Sequence, residues 1–196
     1  DVGKVSDQQR AMLSTSYASA QRMVYLIADL LNVSRLQTGK FVIEKADCYL
    51  PDMISEELAQ LKEAAAAKNI TFSYDKPKDF PRMQLDETKI RQVIMNFADN
   101  ALYYTPAGGK VKIELKKTAK SMEFTVTDNG IGVPKAEQHK LFGKFFRAGN
   151  AQKARPDGTG LGLFMAKKVV VASGGAIIFR STEGKGSTFG FTFPIN

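Results

Sequence analysis

The hydrophobic period of this chain changes near residue 40, and the change divides it into two unlike parts. From residue 7 to about residue 36 neither Pro nor Gly interrupts the sequence. Leu13, Ala20, Met23, Ile27 and Leu30 recur at three-and-four spacing, with Tyr17, Val24 and Leu31 widening the stripe. That is the period of one long amphipathic helix. Thr38-Gly39 ends it. Such a helix either lies on the core of its own domain or enters a coiled coil or bundle as a dimer. The continuity of the stripe favours the bundle.

Beyond residue 40 the pattern is mixed. Residues 41–44 read as a strand-like connector, and Pro51 opens a helix to about residue 68. Ile70, Phe72 and Tyr74 alternate as a strand, and residues 83–85 form a brief second one. Asp86 suits the N-cap of a helix running to Tyr104. Val111, Ile113 and Leu115, then Met122, Phe124 and Val126, alternate as a hairpin. Residues 134–159 are polar with few regular signals, residues 161–172 are helical, and strands at 176–181 and 188–193 close the chain. Grouped strands and helices with antiparallel hairpins predict an α+β fold, a two-layer α/β sandwich. The expected division is residues 1–40 and 41–196.

Composition narrows the partners. With 196 residues, 43% hydrophobic and 24% charged, the chain has an ordinary soluble composition and length for one domain plus an appendage. A single cysteine, Cys48, excludes an intrachain disulfide framework and a cysteine-rich metal site. No apolar run approaches the ~20 residues of a membrane span. Asp1 opens a polar stretch without a start methionine, so the chain reads as an excised fragment. The formal net charge is +8, which suits nucleic acid, acidic membranes, phosphate-rich ligands or simply a solvated surface. Lys135, Lys140, Lys144, Arg147, Lys153 and Arg155 crowd between two glycine-rich loops, and that location points to phosphates. No aromatic–basic reader motif supports direct nucleic-acid binding.

Those loops, DNGIGVP at Asp128 and GTGLG at Gly158, match neither a P-loop nor a dinucleotide fingerprint. A carboxylate at a strand end, such as Asp128, can accept from an exocyclic amino group, while Gly130 and Gly132 admit a flat ring to the backbone. Taken alone, the same loop is also an ordinary turn. The second loop opens a helix, so its amides can face phosphate oxygens. Asn96 and Asn100 lie one turn apart on the helix after Asp86, with Tyr103 and Tyr104 close by. They read as exposed polar positions or as amide oxygens for Mg2+.

In order, NFADNALYYTP, DNGIGVP, LFGKFFRA, GTGLGL and GKGSTFGFTFP resemble the N, G1, F, G2 and G3 boxes of sensor histidine kinases. These belong to the GHKL group with gyrase B, the MutL proteins and the heat-shock chaperone ATPases. The N-terminal helix is similar to the second helix of the dimerisation and phosphotransfer domain of these kinases. The resemblance implies a Bergerat-type ATP-binding domain that uses ATP and Mg2+. It implies that Asp128 reads adenine, that Gly130 and Gly132 border the base with Tyr103 and Tyr104 nearby, and that Asn100 ligands the metal. Asn96 would be its polar partner, in the place of the water-activating glutamate of ATP-hydrolysing relatives; asparagine cannot take that proton, so the γ-phosphate is kept for another acceptor. Gly158, Thr159, Gly160, Leu161 and Gly162 would shape a lid over the triphosphate, Phe142, Phe145 and Phe146 would anchor it, and Arg147 would reach the terminal phosphate. Thr188 would lie near the base.

The resemblance also implies a homodimer through a helical bundle, a response-regulator receiver domain as partner, and a position on the cytoplasmic side, compatible with a parent anchored in the bacterial inner membrane. Two departures matter. Family members usually carry Lys three residues beyond the metal asparagine, whereas Tyr103 stands here; Lys140 or Lys144 would have to substitute. The acceptor histidine belongs on the first bundle helix, and His139, the single histidine, sits in the wrong box to replace it. A degenerate nucleotide-binding sensor without kinase activity is therefore the alternative function.

Overall fold

The computed structural model describes residues 5, 6, 8–10, 12, 13, 15–17, 20, 23, 27, 31, 34 and 38–195. The chain forms two compact units, Asp1–Phe41 and Val42–Asn196. In the first, every described position from 8 to 34 is helical. Ser6 and Gln9 cap its start reciprocally, backbone to side chain, at 2.9 and 3.2 Å. Gly39, at φ 68°, ends it in a turn. Leu13, Tyr17, Met23, Ile27 and Leu31 are exposed; Val24 and Leu30 of the expected stripe lie outside the described residues. No helix among the described residues is long and apolar enough to cross a membrane.

The second unit has two layers. Its sheet contains β2 (Thr71–Tyr74), β4 (Lys110–Lys117), β5 (Ser121–Asp128), β7 (Gly186–Pro194) and β6 (Ala176–Thr182), in the order β2-β4-β5-β7-β6. Strand alternation sorts the faces. Val111, Ile113, Leu115, Met122, Phe124, Val126, Phe189, Phe191 and Phe193 are buried. Lys112, Lys116, Thr127 and Glu123, between them in sequence, point to the polar face. Helices α1 (Leu50–Ala59), α3 (Glu87–Tyr104) and α5 (Gly162–Ala172) supply the other layer. Phe124 and Phe191 stack at 5.0 Å in the core. A small antiparallel pair, β1 (Ala46–Cys48) with β3 (Met83–Leu85), lies apart from the main sheet.

Four details differ from the sequence expectations. The connector at residues 41–44 is irregular, and the strand begins at Ala46, where β3 offers a partner. The helix begun by Pro51 breaks after Ala59. Gln60 and Leu61 donate to carbonyls three residues back, which turns the buried Leu61 inward, and α2 (Lys62–Ala67) follows. β2 joins β4 in parallel, because the connection between them crosses over through α3. Within 134–159, Lys135–Lys140 forms a 3-10 helix and Gly149–Ala154 forms α4.

Candidate functional site

Helix α3 carries the first wall of the site. Asp86 caps it: Oδ1 accepts from Lys89 N at 3.1 Å, while Oδ2 accepts from Lys89 Nζ at 2.6 Å and Glu44 N at 3.0 Å. Burial alone would raise its pKa, but these hydrogen bonds outweigh it and hold the carboxyl below its ordinary value. Ile90, Val93, Ile94, Phe97, Ala98, Ala101 and Leu102 face the core. This leaves Asn96, Asn100 and Tyr104 partly exposed and Tyr103 exposed, off the core face. Asn100 Nδ2 donates to Asn96 Oδ1 at 3.2 Å. An amide whose nitrogen is engaged in this way keeps its carbonyl oxygen for an outside partner. Among the described residues no cluster of three or more His, Cys, Asp or Glu could hold a metal ion. A divalent cation here would rest on the Asn100 oxygen and on oxygens of its own ligand, a donor set that suits Mg2+.

Asp128, at the end of β5, is buried. Its Oδ1 accepts from Gly130 N at 2.8 Å and Ser187 N at 3.2 Å, whereas Oδ2 accepts from no described residue. Burial raises its pKa, with the two backbone amides opposing. The loop after it is stitched on both sides. Ile131 N donates to Tyr104 O at 3.2 Å and Gly184 N to Ile131 O at 2.9 Å. A Cβ at Gly130 would press on the Tyr104 carbonyl, and one at Gly132, where φ is +61°, would overlap the Thr182 carbonyl. Side chains are barred at both positions. Tyr104 is half-buried and its pKa is raised by that burial, against the pull of the Arg147 and Arg155 charges.

The segment 134–159 and the loop before α5 form the remaining wall. Phe142 tucks its ring 5.8 Å from Phe179 and 6.5 Å from Phe189. Phe145 does not anchor the segment as expected. It is 56% exposed at φ 61°, and its backbone, with the Phe146 carbonyl, is what Gly160 packs against. Arg147 donates to the carbonyls of Pro156 at 3.1 Å, Ala151 at 3.3 Å and Arg155, and its guanidinium lies against Gly158. Thr159 Oγ1 accepts from Leu161 N at 3.2 Å, and Leu161 is buried. A Cβ on Gly162 would overlap the amide nitrogen of Asn96, so the start of α5 sits directly on the α3 amide pair.

The structure thus brings together Asn96, Asn100, Tyr103, Tyr104, Arg147 and the two glycine loops. Thr188 stands apart. It pairs with Thr127 across β5 and β7, hydroxyl to hydroxyl at 3.1 Å, so it shares the sheet face opposite Asp128. The residue of the last box beside Asp128 is Ser187. Sequence reasoning also passed over Asn150, whose Nδ2 donates to Gly132 O at 2.9 Å, and Asp99, which pairs with Arg155 at 3.1 Å. An asparagine just after the F box was a visible signal; the Asp99 pairing had none.

Residues 85–196 match the family described as histidine kinase-, DNA gyrase B-, and HSP90-like ATPase. The adaptive-response sensory kinase SasA of Synechocystis sp. is 35% identical over 196 residues, covering 97% of this chain and 51% of the relative. Against other SasA proteins the share of the relative is 49%, so the chain spans about half the length of these curated relatives. Full-length ShkA in complex with AMPPNP superposes with a TM-score of 0.79 at 25% identity, over 97% of this chain and 39% of that one. The histidine kinase ThkA, solved with the response regulator TrrA, shares the fold at a TM-score of 0.73 and 23% identity, over 100% of this chain and 53% of that one.

Proposed function

The chain belongs to the histidine kinase-, DNA gyrase B- and HSP90-like ATPases, and from that premise we propose that it is the ATP-binding catalytic part of a two-component sensor histidine kinase. Residues 1–40 are then the second helix of a dimerising bundle and residues 41–196 the catalytic domain. The observation that carries the reading is Asp128. It is a buried carboxylate with one oxygen held by two backbone amides and the other left for an adenine amino group. Gly130 and Gly132 keep side chains off the base, and the loop from Gly158 to Gly162 bounds the phosphates.

Asn100 is the residue that would hold Mg2+, which neutralises part of the phosphate charge when bound. Asn96 orients the Asn100 amide and, lacking a basic carboxylate, does not activate water. The remaining work is positioning and charge neutralisation. The phosphoryl acceptor is a histidine on a separate bundle helix, and the phosphate passes on to a response-regulator aspartate, in line with the assembly in which ThkA was solved. The bundle makes the parent a homodimer.

A second reading, a nucleotide-binding sensor without transfer activity, draws on Tyr103, which leaves the ligand face of α3 without a cation. Incubation with labelled ATP separates the readings. The chain is expected to bind Mg-ATP and stay unlabelled, and to label a separately supplied bundle of the parent that carries the acceptor histidine. Binding with no label on the bundle favours the sensor reading. An acid-labile, base-stable label on His139, exposed on the 3-10 helix, would overturn the placement of the acceptor.

A further inference from the structure

We propose that Arg155 supplies the cation that α3 lacks, carried to the phosphates on a platform made by Tyr103 and Asp99. The inference rests on the nucleotide-binding reading above. A triphosphate brings several negative charges, and one magnesium ion cancels only part of them. The cations of α3 are committed elsewhere: Lys89 to Asp86 at 2.6 Å, and Arg91 to Glu56, Glu57 and Glu87 at 2.7 to 3.0 Å. The charge has to come from another element.

Arg155 is the cation placed to provide it. Its Nη1 donates to Asp99 Oδ2 at 3.1 Å, and its guanidinium carbon lies 4.4 Å from the Tyr103 ring centroid. Asp99 and Tyr103 are one helical turn apart and so share a face, and Tyr103 stands one turn beyond Asn100. The Tyr103 hydroxyl donates to Ala154 O at 3.3 Å, which fixes the backbone next to Arg155. Lys68 Nζ lies 5.0 Å from the same ring and is tied to the Leu102 and Tyr103 carbonyls. A guanidinium over an aromatic face keeps its rim of N–H donors for other partners. With Nη1 on Asp99 and Nε 4.0 Å from Asp157 Oδ1, the outer N–H groups of the guanidinium remain for phosphate oxygens, and the side chain is 29% exposed.

The other candidates are placed less well. Arg147 spends its guanidinium on three carbonyls within its own segment, so it shapes that segment. Lys144 lies over the exposed Phe145 ring at 5.1 Å, and Lys140 is exposed on the 3-10 helix. Asp99 and Tyr103 are positioning residues in this scheme, and Arg155 is the one that touches ligand.

Calorimetric titration of ATP, ADP and AMP, each with Mg2+, tests this. Arg155→Ala is expected to weaken ATP by about tenfold or more, the range of a charge-assisted hydrogen bond, and to leave AMP within about twofold. Tyr103→Phe should keep most of the ATP affinity because the ring remains, while Tyr103→Ala should lose a good part of it. The decisive variant is the double change Arg155→Ala with Tyr103→Lys, which returns a cation to the same place and should restore the preference for ATP over AMP. Equal losses for ATP and AMP in Arg155→Ala, unchanged ATP binding, or no rescue would each overturn the assignment. Failure of the unaltered chain to bind any of the three nucleotides would instead bring down the nucleotide-binding reading, and this inference with it.

Discussion

The sheet with its helices and the segment 134–159 are held by different forces. Phe97, Phe124, Phe191, Ile90 and Ile94 are fully buried in the first, where close packing leaves no room for adjustment. In 134–159 the buried apolar side chains are Leu141 and Ala148, Phe142 packs its ring on Phe179 and Phe189, and polar contacts do the rest. Gln138 donates to the Val133 and Ser181 carbonyls at 2.9 and 3.1 Å, Glu137 accepts from Gly149 N at 3.0 Å, and Asn150 holds Gly132. Each such bond contributes about 1 kcal/mol net and exchanges readily for water or a phosphate oxygen. Close packing and exchangeable polar contacts are therefore assigned to separate parts of the unit. α3 and β5, which carry Asn100 and Asp128, belong to the packed part, and residues 134–159 belong to the polar one.

The largest effects belong to the rigid part. Phe191→Ala should destabilise the Val42–Asn196 unit by about 3–5 kcal/mol, the usual cost of truncating a buried aromatic. Glu137→Ala, which removes one polar stitch, should cost at most about 1 kcal/mol. Urea unfolding of both variants compares them directly. A Glu137 variant as unstable as the Phe191 variant would erase the distinction.

Asp128→Asn comes next and acts on ligand rather than fold. Replacing the free acceptor by an amide should weaken ATP and ADP by about 1–3 kcal/mol, with the unfolding midpoint barely moved. Calorimetric titration with unchanged affinity would take Asp128 out of the site. Smaller again is the response of the polar wall. Amide exchange across 144–158 should slow when Mg-ATP binds, because the phosphates order its lysines and arginines. Exchange in the buried β5 and α3 should hardly change. Equal protection of 144–158 with and without nucleotide would mean that this wall is as rigid as the core.

The same division explains what could be read before folding. Asp86 as a cap and the alternation of β4 and β5 are local patterns, and each is found where the pattern puts it. The glycine boxes carry their geometry in sequence, since Gly132 and Gly160 adopt positive φ against neighbouring backbone. Contacts that depend on register or on distant partners were not legible. Thr188 and Ser187 differ by one position, and only the pairing of β7 with β5 decides which faces Asp128. The parallel joining of β2 to β4 and the break at Gln60 follow from packing, not from propensity. The meeting of Arg155 with Tyr103 arises because the chain at the end of α4 reaches α3, and nothing local to either residue announces it.

The smallest expected effect is a pH dependence that separates binding from folding. Burial raises the pKa of Asp128 above the ordinary carboxylate value, while hydrogen bonds to Lys89 and Glu44 hold that of Asp86 below it despite burial. The signs are opposite. Asp86 contributes stability in full above its unfolded pKa, and that contribution is lost progressively as pH falls from there through its depressed folded value. Asp128 in the fold takes up its proton earlier than it would in the unfolded chain, so its protonation costs no stability. It does remove an acceptor, because a protonated carboxyl cannot offer both oxygens to a backbone amide and an amino group together. On acidification from neutrality, ATP affinity should therefore decline above the ordinary carboxylate range, while the unfolding free energy from the α3 cap holds until lower pH. Titration calorimetry and urea unfolding over one pH series, repeated with Asp128→Asn, measure both. The variant should lose the early decline in affinity and keep the later fall in stability. If affinity and stability fall together in the unaltered chain, Asp128 is not the group that ties nucleotide binding to pH.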